Sequence, residues 1–179
     1  MISKNIKDQF PIFKNKIKGK KLTYLDSANS SQKPQSVINA INDFYTNRFS
    51  NVGRGIYTLA VNASEDYEKT RNNIKKFIGS GKDYELIFTK NATESLNLVA
   101  SCYGEKFINE GDEIILTDME HHANYVPWHF LRKKKGAIIK FIPIDKDGNL
   151  QIEKLPSLIT SKTKIISVTH MSNVTGAIN

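Results

Sequence analysis

The most informative stretch of the sequence is EIILTDMEHHANYVPW, residues 113–128. Its first five residues have the length and aliphatic composition of a short buried strand. A polar turn with two adjacent histidines follows, and the sequence then continues into a helix that contains Trp128. Strand, turn and helix in this order form the unit from which parallel α/β sheets are built.

The same order is repeated on both sides of this stretch. Apolar runs predict further strands at 85–89, 137–142 and 164–169. Apolar residues at helical spacing predict helices at 37–49, 64–78, 94–102 and 152–159, and one through Trp128 and Leu131. Two glycines mark 51–57 as a loop. The pattern predicts an α/β fold, in which a mostly parallel sheet has helices on both faces.

The two ends of the chain differ from this central pattern. The sequence predicts an N-terminal arm with a short amphipathic segment at residues 1–20 and one α/β domain at residues 21–179. The fourth predicted strand ends near 169, and no helix follows it to cover the sheet. Because a parallel sheet needs cover on both faces, we expect the sheet to be incomplete at the C-terminus and the domain to be truncated.

Composition excludes several classes of protein. The 179 residues are 39% hydrophobic and 25% charged, which is typical of a globular domain. The sequence has no apolar run of the roughly 18 residues that a membrane helix needs, and it starts without the features of a signal peptide. We therefore expect a soluble, cytoplasmic protein without a membrane partner.

The net charge and the single cysteine also limit the function. The charge of +8 comes from scattered lysines without interleaved aromatic residues, so a solvated surface is favoured over a nucleic-acid face. One cysteine excludes an internal disulfide and a cysteine-rich metal site. Cys102 lies in an apolar stretch, where we expect a buried small side chain.

Polar clusters follow the predicted strands at the edge where α/β proteins bind ligands. After 85–89, Asn91 and Glu94 have the spacing of a capping box, and the N–H groups near Ala92 and Thr93 would suit a phosphate. A well-capped helix without a ligand fits the same residues. After 164–169, the amide of Asn173 could contact an oxygen of a ligand, or serve only in a turn.

The adjacent His121 and His122 cannot face the same way, which argues against a metal pair. No metal site is expected, because helical histidine ligands lie four residues apart. A ring stacked on a planar ligand, a general acid or base, and a packing role remain open. Phosphate donors, a flat ring and an amide on one sheet edge together suggest a planar phosphorylated cofactor.

Several motifs resemble one known family. YLDSANSSQKP (24–34), RGI (54–56), ATE (92–94), EHHAN with VPW (120–128) and THMSNV (169–174) are similar to the pyridoxal-phosphate-dependent cysteine desulfurases of the sulfur-mobilisation type. These enzymes belong to the class V aminotransferase family, which also includes selenocysteine lyases. The resemblance covers essentially all 179 residues, in order, and implies the fold type I of pyridoxal-phosphate-dependent transferases.

The resemblance implies roles at the cofactor for four residues. His121 is expected to stack on the pyridine ring of pyridoxal 5'-phosphate and to handle protons as a catalytic residue, whereas His122 is expected to be structural. Ala92 and Thr93 are expected to contact the cofactor phosphate. Asn173 is expected to donate to the phenolic oxygen of the cofactor.

The resemblance also implies substrate contacts. Ala28 is expected near the substrate amino acid, and Arg54 is expected where the active site meets the second subunit of a homodimer. Gly53 and Tyr57 depart from the family pattern, which has histidines at both places in V-H-R-G-x-H. This departure leaves substrate handling by the loop open.

The implied reaction converts L-cysteine to L-alanine and leaves the sulfur as an enzyme persulfide, which an acceptor protein takes for iron–sulfur cluster assembly. The family's Schiff-base lysine, pyridine-pairing aspartate, persulfide cysteine and carboxylate-binding arginine are expected beyond Asn179, and Cys102 does not match the catalytic cysteine. We therefore expect this chain alone to be inactive. A selenocysteine lyase, an epimerase or transaminase relative, and a non-catalytic relic are the alternatives.

Overall fold

The structure, a computed structural model, describes residues 6–81 and 84–179. Contacts within the chain divide it into two compact units, Met1–Leu86 and Ile87–Asn179. The first unit is mostly helical, and the second contains the parallel sheet.

The first unit begins with two 3-10 turns, Lys7–Gln9 and Pro11–Lys14, and a short antiparallel hairpin of β1 (Lys16–Ile17) and β2 (Lys20–Lys21). Two helices follow: α1 (Gln35–Asp43), which continues as a π-helical turn over Phe44–Arg48, and α2 (Thr58–Phe77). Both predicted helices of this region are confirmed, and so is the loop at 51–57. Helix α2 begins six residues earlier than predicted, because the Tyr57 carbonyl accepts the N–H groups of Ala60 and Val61.

The second unit contains three parallel strands, β3 (Glu113–Thr117), β4 (Ile138–Ile142) and β5 (Thr163–Ile166), in the spatial order β4-β3-β5. Its helices are α3 (Ala92–Val99), α4 (Glu105–Phe107), α5 (Val126–Lys135) and α6 (Leu155–Leu158). Strand β3 occupies the predicted residues, and all five of them are buried. The central position of β3 explains this burial, because it has a hydrogen-bonded neighbour on each side.

The hydrophobic core of the second unit lies between the sheet and its helices. Trp128 and Leu131 on α5 pack with Ile114 and Leu116 on β3, and these four side chains are buried. Ala100, Ile108 and Ala137 complete this core cluster. The alternate residues 114 and 116 point to the same face of the strand. This face of β3 therefore packs against α5.

Helix α5 has clear boundary signals. Pro127 lies in its first turn, where the missing N–H costs nothing. Gly136 ends the helix in the left-handed conformation at φ 74°, and the last turn contains four basic residues that complement the helix dipole. Both signals are visible in the sequence, which is why this helix was predictable.

Two predictions are wrong. Residues 85–89 do not form a buried strand: they pair with no strand of the described residues, and Ile87 and Phe88 are 69% and 41% exposed. An apolar run forms a strand only where a neighbouring strand is available to pair with it. The sequence of the run does not determine whether such a neighbour exists. Cys102 is exposed, because it lies in the π-helical turn Ala100–Gly104 that extends α3 and shifts the helical face.

Candidate active site at the carboxyl end of the sheet

A carboxylate network lies just beyond the carboxyl end of β3. Glu120 Oε1 accepts a hydrogen bond from the Thr117 hydroxyl at 2.7 Å and another from the backbone N–H of Thr169 at 2.8 Å. Its second oxygen, Oε2, accepts the Asn124 side-chain amide at 2.8 Å. Glu120 thus joins the end of β3, the turn that follows it and the segment that follows β5.

Asn124 is buried and uses both ends of its amide. Its Nδ2 donates to Glu120 and to the Ser167 carbonyl at 3.2 Å. Its Oδ1 accepts the Trp128 indole N–H at 3.0 Å and the Ser167 hydroxyl at 2.6 Å. Because both ends of the amide have partners of the right polarity, the orientation of this side chain is fixed.

His121 lies between these two residues of the network and is exposed. Its Nδ1 accepts the backbone N–H of Ala123 at 3.1 Å, which leaves the proton of a neutral imidazole on Nε2. The His122 ring is inclined at 68° to it, with ring centroids 6.2 Å apart. The two rings therefore do not present a shared metal-binding face.

Asn173 lies in a small hairpin after β5. A bridge between Met171 and Ile178 closes the hairpin, and the buried Ser172 hydroxyl accepts two backbone N–H groups of the turn. The base of the hairpin contains Thr169, whose N–H donates to Glu120. Asn173 is exposed, and among the described residues its side-chain amide has no hydrogen-bond partner.

The N-terminus of α3 provides a possible anion site. Asn91 Oδ1 accepts the Glu94 N–H at 2.9 Å, which confirms the predicted N-cap, and Glu94 Oε2 accepts the N–H of Lys90, one residue before the N-cap, at 2.7 Å. The first two N–H groups of the helix, those of Ala92 and Thr93, point out of the helix without intrahelical partners. Such groups bind phosphate readily, since the helix dipole adds to their partial charge.

These elements meet within the second unit. Helix α3 packs against the 3-10 turn His122–Asn124, and the hairpin is attached to that turn through Glu120. The four predicted cofactor contacts therefore lie on elements that adjoin one another: Ala92, Thr93, His121 and Asn173. The two predicted substrate contacts, Ala28 and Arg54, belong to the first unit.

Both substrate candidates lie on exposed turns of the first unit. Ala28 is in the turn 27–29, where Asp26 O accepts the N–H groups of Asn29 and Ser30. Arg54 lies in the loop 51–57, and its side chain has no hydrogen bond or ion pair among the described residues. Its guanidinium is thus available to an anionic group.

The two departures from the family pattern shape that loop. Gly53 has a φ of 121°, a conformation that side chains other than glycine rarely adopt, and its N–H donates to the Ser64 hydroxyl at 3.0 Å. The Tyr57 hydroxyl donates to Asn51 Oδ1 at 2.5 Å and lies 2.8 Å from the Ser50 hydroxyl. Hydrogen bonds of Gly53 and Tyr57 therefore hold this loop, at the two positions where the family pattern has histidines.

Two kinds of feature are absent from the described residues. Among residues 6–81 and 84–179, no three His, Cys, Asp or Glu side chains are grouped to hold a metal ion. In the same ranges, no helix has both the length and the hydropathy required to span a membrane.

Glu120 and Asn124 are the residues that reasoning from the sequence missed, because it gave them no individual role. Their partners Ser167 and Thr169 lie 43 to 49 residues further along the chain, so no local pattern reveals the contacts. One signal was present: a carboxylate, an amide and an indole follow one another at intervals of four residues, 120, 124 and 128.

The sequence matches one family over most of its length. Residues 23–179 match the family described as aminotransferase class-V. The chain belongs to this family. Its members that act as cysteine desulfurases use pyridoxal 5'-phosphate, and they have the fold type I architecture that the parallel sheet and its helices show here.

Individual relatives agree with the family match. The chain is 49% identical over 171 residues, or 96% of its length, to a protein of Staphylococcus epidermidis named "Probable cysteine desulfurase". The apo structure of a cysteine desulfurase from Thermococcus onnurineus is 34% identical, with a TM-score of 0.85 over 97% of the chain. The cysteine desulfurase CsdA of Escherichia coli is 34% identical, with a TM-score of 0.77 over 96%.

The coverage of these relatives is unequal. The chain spans 41% of the length of the Staphylococcus epidermidis protein, 41% of the Thermococcus onnurineus structure and 42% of the Escherichia coli structure. The 179 residues therefore correspond to less than half of each of these proteins.

The residues at the carboxyl end of the sheet fit pyridoxal phosphate. The free N–H groups at the start of α3 match an anionic phosphate, and the exposed His121 ring offers a flat face. The unpartnered amide of Asn173 offers a donor for an oxygen atom on the ring. These groups match three features of the cofactor: its phosphate, a face of its ring and an oxygen atom on the ring.

Proposed function

We propose that these residues form part of the pyridoxal-phosphate site of a cysteine desulfurase, which removes sulfur from L-cysteine and leaves L-alanine. When bound, pyridoxal phosphate supplies an electron sink for bonds at the substrate's α-carbon. The residues of this chain bind and orient the cofactor. The remaining catalytic groups of the reaction are assigned to parts of the enzyme outside these 179 residues.

Each proposed cofactor contact has a distinct task. The N–H groups of Ala92 and Thr93 hold the phosphate, and the helix dipole of α3 favours its negative charge. His121 covers one face of the pyridine ring and exchanges a proton through Nε2, since Nδ1 is occupied by the Ala123 N–H. Asn173 donates its amide to the phenolic oxygen of the cofactor.

The substrate contacts are proposed on the first unit. Arg54 is the proposed cation for an anionic group of the substrate, because its guanidinium is exposed and without a partner among the described residues. Ala28 is proposed to border the substrate amino acid. We further propose that residues 21–179 form the N-terminal part of the large cofactor-binding domain, preceded by an arm at 1–20.

One observation supports this function above the others. The exposed His121 ring and the unpartnered Asn173 amide lie on two different segments that share a single carboxylate, Glu120, at the carboxyl end of a parallel sheet. This edge is where open α/β sheets bind their ligands.

The biological setting is proposed from the same relatives. We propose that the enzyme acts in the cytoplasm as a homodimer and passes its sulfur to an acceptor protein for iron–sulfur cluster assembly. L-cysteine is the proposed substrate, and selenocysteine is the closest alternative. Size-exclusion chromatography with light scattering would measure the oligomeric state, and a monomer would contradict the dimer.

Product analysis tests the function on the protein that the gene encodes. With pyridoxal phosphate and L-cysteine, we expect alanine together with sulfide that a thiol reductant releases. An equal yield with selenocysteine would indicate a selenocysteine lyase, and an oxo acid would indicate a transaminase. Bound cofactor without any product would indicate a non-catalytic relative and contradict the proposal.

A second candidate is another class V enzyme with a different amino-acid substrate. The observation that favours it is the loop 51–57, where Gly53 and Tyr57 form a closure without the family's histidines. A panel of amino acids compared at equal concentration separates the two candidates. Cysteine is expected to give the highest turnover under the leading proposal.

A polypeptide of these 179 residues alone is expected not to convert cysteine, because the residues described here bind and orient but include no proposed sulfur-accepting thiol. Alanine production by that polypeptide, above the level of free pyridoxal phosphate, would contradict this assignment of roles.

A further inference from the structure

We propose that Glu120 is a positioning residue, which holds His121 and the Asn173 hairpin in one arrangement around the cofactor. The inference rests on the proposed function, because it concerns the same site. Glu120 itself contacts no proposed ligand atom, and it acts through the two segments that it joins.

The first link fixes the turn that contains His121. Glu120 Oε2 accepts the Asn124 amide at 2.8 Å, and the Asn124 N–H donates to the His121 carbonyl at 2.8 Å. Asn124 is anchored in turn by Trp128 and Ser167. The backbone of His121 is thus held by a short loop whose two ends are joined, and the Ala123 N–H contacts the ring itself.

The second link fixes the hairpin. Glu120 Oε1 accepts the Thr169 N–H at 2.8 Å, and on the other side of the hairpin base Asn179 donates its amide to the Thr169 carbonyl at 2.9 Å. The Asn179 N–H also donates to the His170 carbonyl at 2.9 Å. Asn173 lies at the end of this closed hairpin, so the position of its base sets the position of the amide.

The polarity of the partners makes a carboxylate necessary at position 120. One oxygen of Glu120 faces the N–H of Thr169 and the hydroxyl of Thr117, and the other faces the NH₂ of Asn124. Asn124 cannot turn its amide around, because its Oδ1 already accepts from Trp128 and Ser167. Only a group that accepts at both oxygens satisfies both segments together.

Glutamine in this position has the same shape but must fail on one side. In either orientation of the amide, its NH₂ faces a donor, either the Thr169 N–H or the Asn124 NH₂. Glu120→Gln therefore breaks one of the two links without leaving a cavity. This variant separates positioning from packing.

Glu113 provides the matched control. It is also a hydrogen-bonded carboxylate, and it lies at the opposite end of the same strand, with Lys140 and two threonine hydroxyls as partners. Glu113→Gln changes the charge and the hydrogen bonds of β3 as well, but at the edge without proposed ligand contacts.

The experiment compares wild type, Glu120→Gln and Glu113→Gln in the protein that the gene encodes. Pyridoxal-phosphate affinity is measured by absorbance titration, and amide hydrogen exchange is measured without cofactor by mass spectrometry. We expect Glu120→Gln to weaken cofactor binding roughly tenfold and to speed exchange in 120–125 or 168–174. We expect Glu113→Gln to leave the affinity and both segments unchanged.

Two results would overturn the proposal: a cofactor affinity of Glu120→Gln equal to that of wild type, or an equal loss of affinity in Glu113→Gln. A wild-type protein that binds no pyridoxal phosphate would instead overturn the proposed function. In that case the exchange data would still decide whether Glu120 holds the two segments, because they are recorded without cofactor.

Discussion

The two ends of strand β3 use carboxylates in different ways. At the amino end, Glu113 accepts from Lys140 at 2.8 Å and from the hydroxyls of Thr160 and Thr163 at 2.7 and 3.0 Å. At the carboxyl end, Glu120 accepts from side chains and backbone of three segments. Both networks are hydrogen-bonded throughout, and the carboxyl end is flanked by the exposed His121 ring and by the Asn173 amide, which has no partner among the described residues.

The charge balance differs as well. Hydrogen bonds from the Lys140 ammonium, as the largest cause, and from the Thr160 and Thr163 hydroxyls lower the pKa of Glu113 from its ordinary 4.5 to about 2. The Lys140 ammonium also donates to the Leu158 carbonyl at 3.0 Å, so it has two acceptors at this end of the strand. At the carboxyl end no lysine or arginine forms an ion pair with Glu120 among the described residues. The carboxylate at the amino end is therefore charge-paired, whereas the carboxylate at the carboxyl end is held by neutral donors.

The largest expected effect on stability is at Asn124. Asn124→Ala leaves the buried Trp128 N–H and one oxygen of Glu120 without a partner, and we expect a loss of about 3 kcal/mol in the free energy of unfolding. Urea denaturation measures it. Asn97→Ala, at an exposed asparagine of α3, is the control and should change the value by less than about 0.5 kcal/mol. Equal losses would show that the carboxyl-end network contributes no special stability.

The amino end should give the clearest dependence on pH. A carboxyl group with a lowered folded-state pKa stabilises the fold above its unfolded pKa, and this contribution is lost as pH falls. For Glu113 the loss should occur between about pH 4.5 and 2. Glu113→Gln should remove this part of the acid dependence, as measured by urea midpoints at several pH values. Parallel curves for wild type and variant would contradict the role of Glu113.

Trp128→Phe should have a smaller effect. The phenyl ring fills most of the indole space, but the hydrogen bond from Trp128 Nε1 to Asn124 Oδ1 is lost, and the Ser167 hydroxyl still satisfies that oxygen. We expect a loss of about 1 kcal/mol in the free energy of unfolding. A loss as large as that of Asn124→Ala would mean that indole packing, rather than the hydrogen bond, dominates at this position.

The smallest effect on stability is expected at His121. The ring is exposed, and His121→Ala removes only its hydrogen bond to the Ala123 N–H, so the free energy of unfolding should fall by no more than about 1 kcal/mol. Cofactor affinity and turnover should each fall roughly tenfold, because the stacking surface is lost. Unchanged affinity and turnover would remove His121 from the site.

The sequence predicted those parts that depend on local patterns. Strand β3 occupies the predicted residues because its apolar run lies in the centre of the sheet. The cap of the Glu94 N–H by Asn91 is also confirmed, since a helix start depends on residues three positions apart. By contrast, the run at 85–89 has no strand partner among the described residues, and an apolar pattern does not specify one.

The site was predictable only in part. The motif resemblance pointed to Ala92, Thr93, His121 and Asn173, and the structure lays these four on adjoining elements of the second unit, although their roles remain predictions. It gave no task to Glu120, because its partner Thr169 lies 49 residues further along the chain. Contacts across such a distance follow from the sheet order, which becomes known only with the fold.

The most direct test of the central claim is a crystal structure of the gene-encoded protein with pyridoxal phosphate. We expect the His121 ring to lie on the pyridine ring and the Ala92 and Thr93 N–H groups to contact the phosphate. We also expect the Asn173 amide to contact the phenolic oxygen. A cofactor bound elsewhere, or bound at this edge with His121 turned away from the ring, would contradict the claim.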